Sequence, residues 1–235
     1  MIYYIMKKVS IRFYDNQPDI IQQFKNNLKL VDSIQVSNKS NQDIMNGNNK
    51  HNLYTSIFLK KHPNNSFARY LHSIKNKENS SNIGFSYNDA IELSKWGNLP
   101  IHNKVVIFDW DGTLSVIEGI LLPRTKEETK EYEINKITYE DIATYYCGGK
   151  YRFNWLRDLF VYLYKKNVSV YILTNNPIAC NIEKEGRKHF FHVVKEIIPQ
   201  IKLKHILCGY ESNGFKPHAF MKNNELKKSY TESER

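Results

Sequence analysis

The chain has 235 residues, with 34 Lys and Arg against 24 Asp and Glu, a formal net charge of +10 and a sequence pI near 9.3. That length allows one α/β domain of moderate size with an insertion, or one core with a small appendage, and no apolar stretch is long enough to cross a bilayer. Met1-Ile-Tyr-Tyr-Ile-Met6 is too short for a signal-peptide core, and three widely spaced cysteines, Cys147, Cys180 and Cys208, favour a reducing cytoplasm and offer no metal-site spacing.

The amino-terminal run Val9-Ser-Ile-Arg-Phe-Tyr-Asp-Asn-Gln-Pro-Asp-Ile-Ile21 reads as strand, acid, turn and helix. Ile20, Ile21, Phe24, Leu28 and Leu30 give the helix an apolar face, and Asp32 to Val36 reads as a further short strand. From Gln35 to Asn82 the composition turns to Asn, Ser and Lys. This stretch is expected to be a partly disordered surface connection, with a helical turn at Phe67 to Leu71. A short helix is expected over Ser86 to Trp96, capped by Ser86 and favoured by Asp89 in its first turn.

Val105-Val-Ile-Phe-Asp-Trp-Asp-Gly-Thr-Leu114 carries the chemistry. Four apolar residues without alternation suggest a strand buried on both faces, as in a parallel sheet. Ligands of open α/β sheets bind just beyond the carboxyl ends of such strands, where Asp109 and Asp111 fall. Along an extended segment these two acids point to one side and Trp110 to the other. Two carboxylates facing one small volume imply a cation, an acid/base role, or both, and Gly112 lets the chain turn behind them. Asp and Gly also make ordinary turns, so partners elsewhere in the chain carry weight.

An apolar strand followed by Asp-x-Asp-Gly-Thr resembles the first motif of the haloacid dehalogenase-like superfamily. The resemblance implies a three-layer, Rossmann-like α/β fold, a parallel sheet flanked by helices with a small cap insertion. It also implies a nucleophilic Asp109 that forms an aspartyl-phosphate, and an Asp111 that protonates the leaving group and then activates water. The cap interval would run from about 115 to 152, where Glu118, Arg124, Tyr145, Tyr146 and Arg152 are candidates to face a substrate. A solvated charged helix over Thr125 to Glu133 with aromatic packing beneath accounts for most of that interval.

Downstream, Trp155 to Lys166 shows helical apolar spacing and Val168-Ser-Val-Tyr-Ile-Leu-Thr-Asn175 reads as a strand ending in a hydroxyl and an amide. Thr174, with Asn175, resembles the family's phosphate-binding motif. A helix over His189 to Ile198 and a strand over His205 to Gly209 lead to Gly214-Phe-Lys-Pro-His-Ala-Phe220, which resembles the family's Lys-Pro segment and places Lys216 on the phosphate.

The family's fourth motif, a strand ending in magnesium-binding acids, has no counterpart in the polar stretch from Lys222 to Arg235. The amino terminus offers one instead. Tyr14-Asp-Asn-Gln-Pro-Asp19 resembles that motif, with Asp15 in the metal-binding place, Asn16 where a second Asp is often found, and Asp19 matching a looser form. Such an order is a circular permutation, and it would keep Val105 to Phe108 from becoming an exposed edge. The resulting division is 1–37 as the permuted strand-helix-strand, 38–100 as the connection, and 101–235 as the core with its cap.

The expected function is a Mg2+-dependent phosphohydrolase acting on a phosphorylated substrate, with Asp109, Asp111 and Asp15 as metal ligands and Thr174, Asn175 and Lys216 on the phosphate. A catalytically inactive binding module of the same fold is the alternative, and a nucleic-acid end phosphatase a narrower one. The positive charge supports nucleic acid only weakly, because the lysines are scattered and accompany abundant Asn, Ile and Tyr. It would attract an anionic substrate.

Overall fold

A computed structural model describes residues 9–37, 84–116, 122, 126–134, 136–180, 184–210 and 213–234. Five strands, β1 (Val9–Asp15), β2 (Val31–Gln35), β3 (Asn103–Phe108), β4 (Val168–Thr174) and β5 (Ile206–Cys208), form one sheet in the order β2-β1-β3-β4-β5. Every pairing is parallel, with Tyr14 opposite Phe108, Phe108 opposite Ile172, and Thr174 opposite Cys208. The carboxyl ends of β1, β3 and β4 therefore lie side by side.

Successive side chains of these strands enter two different cores. Tyr14, Val106, Phe108, Val170 and Ile172 face one, and Phe13, Val105, Ile107, Tyr171 and Leu173 the other. Both faces are covered, which is why Val105 to Phe108 of β3 is an unbroken apolar run. On the first face lie α2 (Tyr87–Gly97), α4 (Tyr139–Tyr146), α5 (Lys150–Lys165) and α7 (Lys184–Ile197). The second carries α1 (Pro18–Asn27), α8 (Lys216–Lys222) and α9 (Asn224–Ser233). Two short helices complete the set among the described residues, α3 (Lys126–Ile134) and α6 (Pro177–Cys180). The fold is thus a three-layer, Rossmann-like α/β sandwich.

The amino-terminal strand sits where the sequence asks for it, between β2 and β3. Phe13 stacks on Phe24 of α1 at 4.0 Å between centroids, and Phe24 meets Phe220 of α8 edge to face. On the opposite face the Trp96 indole donates to Ser10 at 3.2 Å, while the Arg12 guanidinium lies 5.2 Å over that ring and pairs with Asp32 of β2. The Lys104 ammonium, from β3, donates to the carbonyls of Gly97 and Leu99 and so closes the carboxyl end of α2.

Three features differ from the sequence reading. The polar stretch after Lys222 contains α9, whose amino end is capped by the Asn223 side chain and which buries Leu226 completely. One apolar contact per turn is too sparse a stripe to be read as periodicity. The cap interval is partly core, because Ile142, Ala143 and Tyr146 of α4 pack into the first face, and a capping box between Thr138 and Asp141 starts that helix. Cys180 and Cys208 form a disulfide, so the reducing compartment expected from the cysteine usage draws no support from the fold. The expected turn at Phe67 to Leu71 lies outside the described residues.

Deleting residues 1–16 is expected to abolish cooperative unfolding, since it strips the central pairing from both β2 and β3. Urea denaturation followed by circular dichroism checks this, and an unchanged transition would show that β1 is an appendage.

Candidate active site

Asp109 is the first residue past β3, and its backbone N–H donates to the Tyr14 carbonyl at 2.9 Å, continuing the ladder with β1. Asp15, the last residue of β1, therefore ends beside it. Lys216 opens α8, where Pro217 is suited to a first turn that has no use for its missing N–H. Its ammonium donates to Asp109 Oδ1 at 2.7 Å and to Asp15 Oδ2 at 2.8 Å. All three groups are buried, at 2% exposure for Lys216, 3% for Asp109 and none for Asp15.

Two buried carboxylates thus share one ammonium. Burial pushes the Asp109 carboxyl up to about 7, against the pull of Lys216 and with the help of Asp15. For Lys216, burial lowers the pKa, but Asp109 and Asp15 together outweigh it and hold it above the ordinary lysine value. The cluster is short of positive charge. Among the described residues no three His, Cys, Asp or Glu side chains are arranged to hold a metal. Magnesium, however, is commonly held by one or two carboxylates plus phosphate oxygens rather than by an all-protein cage, and the oxygen donors of Asp109 and Asp15 with their surplus negative charge fit it.

Asp111 points elsewhere. Both of its carboxylate oxygens accept from Asn176 Nδ2, at 3.1 and 3.0 Å, and it is only partly buried. Behind it, Gly112 adopts a φ of +72°, and a Cβ there would lie 2.3 Å from Asn16 Nδ2, so only glycine lets the two loops meet. The Asn16 backbone N–H donates to Thr113 Oγ1 at 3.1 Å. From the other side the Arg152 guanidinium donates to the carbonyls of Leu114, Phe85 and Thr113 at 2.6, 2.9 and 3.1 Å. At 1% exposure Arg152 is turned to backbone instead of to a substrate, and burial lowers its pKa to about 10.

Thr174 ends β4 fully buried, and its hydroxyl oxygen accepts from the Asn176 backbone N–H at 2.9 Å, leaving the O–H as a donor. The Asn175 side chain donates to the Gly214 carbonyl at 3.3 Å and presses against Gly209, where a Cβ would lie 2.0 Å from its oxygen. Asn175 therefore ties the Thr174 loop to the loop that carries Lys216. Cys180, closing α6, is bridged covalently to Cys208 at the end of β5.

Asp15, Asp109 and Lys216, singled out in the sequence, thus meet in one buried cluster, with Thr174 ending the adjacent strand. Asp111 follows within the turn but turns its carboxylate to Asn176. Asn176 and the orienting role of Arg152 escaped the sequence reading. Two consecutive asparagines after a strand do not say which one faces an acid, and a helical Arg carries no sign of its carbonyl partners. The chain matches no protein-family model, no curated protein and no solved structure.

With Asp109 near 7 in the folded state and an unfolded value of about 4, the folded chain holds the extra proton between those pH values. Stability of the metal-free protein is expected to fall as pH rises from about 4 to 7 on this account. Asp109→Asn should flatten that fall, as read by urea midpoints across the range. Parallel curves for the two proteins would remove Asp109 as the titrating group.

Proposed function

We propose that this protein is a magnesium-dependent phosphohydrolase of the haloacid dehalogenase type, working through an aspartyl-phosphate on Asp109. The observation that carries the reading is the convergence of Asp109, Asp15 and Lys216 at the carboxyl end of the sheet from positions far apart in sequence. The carboxyl ends of the strands are where open α/β sheets bind ligands. The Asp109 carboxylate attacks phosphorus, and the leaving oxygen takes a proton from Asp111. Asp111 then accepts a proton from the water that attacks the acyl phosphate. Lys216 and Thr174 hold the transferring group by charge and by hydrogen bond, and Asn175 keeps their two loops together.

Asp15 and Asp109 would hold magnesium, with Asp111 expected from the family motif as a further ligand. The ion supplies positive charge against the phosphoryl oxygens. The substrate is a phosphorylated compound admitted from the side of the partly exposed Asp111. A cytoplasmic location belongs to the same proposal and requires the Cys180–Cys208 bridge to open in a reducing compartment. A second reading, a binding module without turnover, is favoured by one observation: Lys216 already satisfies both buried carboxylates.

Asp109→Asn is expected to abolish hydrolysis of p-nitrophenyl phosphate with magnesium while the far-ultraviolet circular dichroism stays unchanged. Asp111→Asn should lower kcat by about 10²–10⁴-fold, the range for a lost general acid or base. Steady-state assays decide both, and wild-type turnover in purified Asp109→Asn would refute the nucleophile.

Magnesium should raise the thermal midpoint of the wild type, because an ion bound only by the folded state stabilises it. Asp15→Asn should remove most of that rise. An equal magnesium-dependent shift in both proteins would take Asp15 out of the metal site without any appeal to activity.

A further inference from the structure

Asn176 is held by contacts that leave its amide one orientation. Its Oδ1 accepts from the backbone N–H groups of Ile178 and Ala179 at 2.9 and 3.3 Å, capping α6, and its own N–H donates to Thr174 Oγ1. A carbonyl oxygen committed to two backbone donors obliges the amide nitrogen to face the other way. There it meets both oxygens of Asp111. At 3% exposure the side chain has little freedom to swing, and Pro177 restricts the Asn176 backbone before it. Asp111 is the third residue past β3, on the turn that Gly112 continues.

We infer that Asn176 is a positioning residue for the reaction: it holds the Asp111 carboxylate by an amide whose direction is set by the α6 cap, so that Asp111 meets the leaving oxygen and then the attacking water in a fixed pose. The inference rests on the acid/base role proposed above for Asp111. Misplacement of a reacting group by about 1 Å can cost on the order of 10²-fold in rate. Substrate affinity, which rests on Lys216 and Thr174, should be little affected.

Two substitutions separate the contact from the cap. Asn176→Asp and Asn176→Ser both keep an oxygen that can cap α6, and both remove the amide nitrogen that reaches Asp111. With p-nitrophenyl phosphate and magnesium, each should show kcat reduced about 10²-fold and KM within about threefold of wild type; Asn176→Ser should keep a thermal midpoint near that of wild type, whereas Asn176→Asp should lower it by setting a second carboxylate beside Asp111. Adding Asn176→Asp to Asp111→Asn should then lower kcat no further, since Asn176 acts only through Asp111. Losses that multiply in the double variant, or kcat retained in both single variants, would overturn the inference while leaving the phosphohydrolase standing. A wild type that does not turn over would instead overturn the proposed function, and the inference with it.

Discussion

The ammonium of Lys216 between Asp15 and Asp109 is the constraint on which the rest of the molecule depends. It joins positions separated by 201 and 107 residues, so β1, β3 and α8 must all reach their places before any of the three charges can leave water. Removing Lys216 from such a buried arrangement costs about 3–5 kcal/mol, because the carboxylates it pairs with are left uncompensated. Two acids on one base make the cluster electrostatically incomplete. Burial, helped by the second acid and opposed by Lys216, keeps the Asp109 carboxyl closer to its neutral form in the absence of a cation and leaves it responsive to a positively charged ligand.

Around this cluster the backbone is tied from both sides. Asn16 and Gly112 interlock on the β1 side, and Arg152 holds the carbonyls of Phe85, Thr113 and Leu114 from below. The Arg152 cation has three carbonyl oxygens and the face of Trp155, 5.6 Å from the ring centre, as its surroundings. A guanidinium suits this duty, since its planar fork reaches several carbonyls at once and tolerates burial better than an ammonium. On the β4 side, Asn175 and Asn176 divide the work between them. One clamps the Lys216 loop and the other meets Asp111, because successive residues leaving a strand point in opposite directions.

The disulfide adds a second tie between the Thr174 loop and the end of β5. Closing a 28-residue loop would lower the entropy of the unfolded chain by an amount worth about 3–4 kcal/mol, comparable with the buried ion cluster. Both devices act on the loops that follow the strands, whereas the sheet itself is secured by apolar packing on its two faces. The scaffold and the site are therefore stabilised by different physics, and changes of pH or redox state act on the loops first.

Much of this was legible in the chain before folding. The unbroken apolar run at Val105 to Phe108 announced a strand buried on both faces, Val168 to Thr174 read as a second strand, the acid pair Asp109 and Asp111 marked where the first of them ends, and the strand-acid-turn-helix pattern at Val9 to Ile21 indicated that the amino terminus belonged in the sheet. Such signals are local, because alternation, charge and turn chemistry are properties of adjacent residues. Other features were decided only by tertiary structure. Which acids share Lys216, which of Asn175 and Asn176 meets Asp111, what Arg152 donates to, and that Cys180 reaches Cys208 all depend on distances across the sheet, and those are set by strand order and register, to which the composition of any one segment is blind.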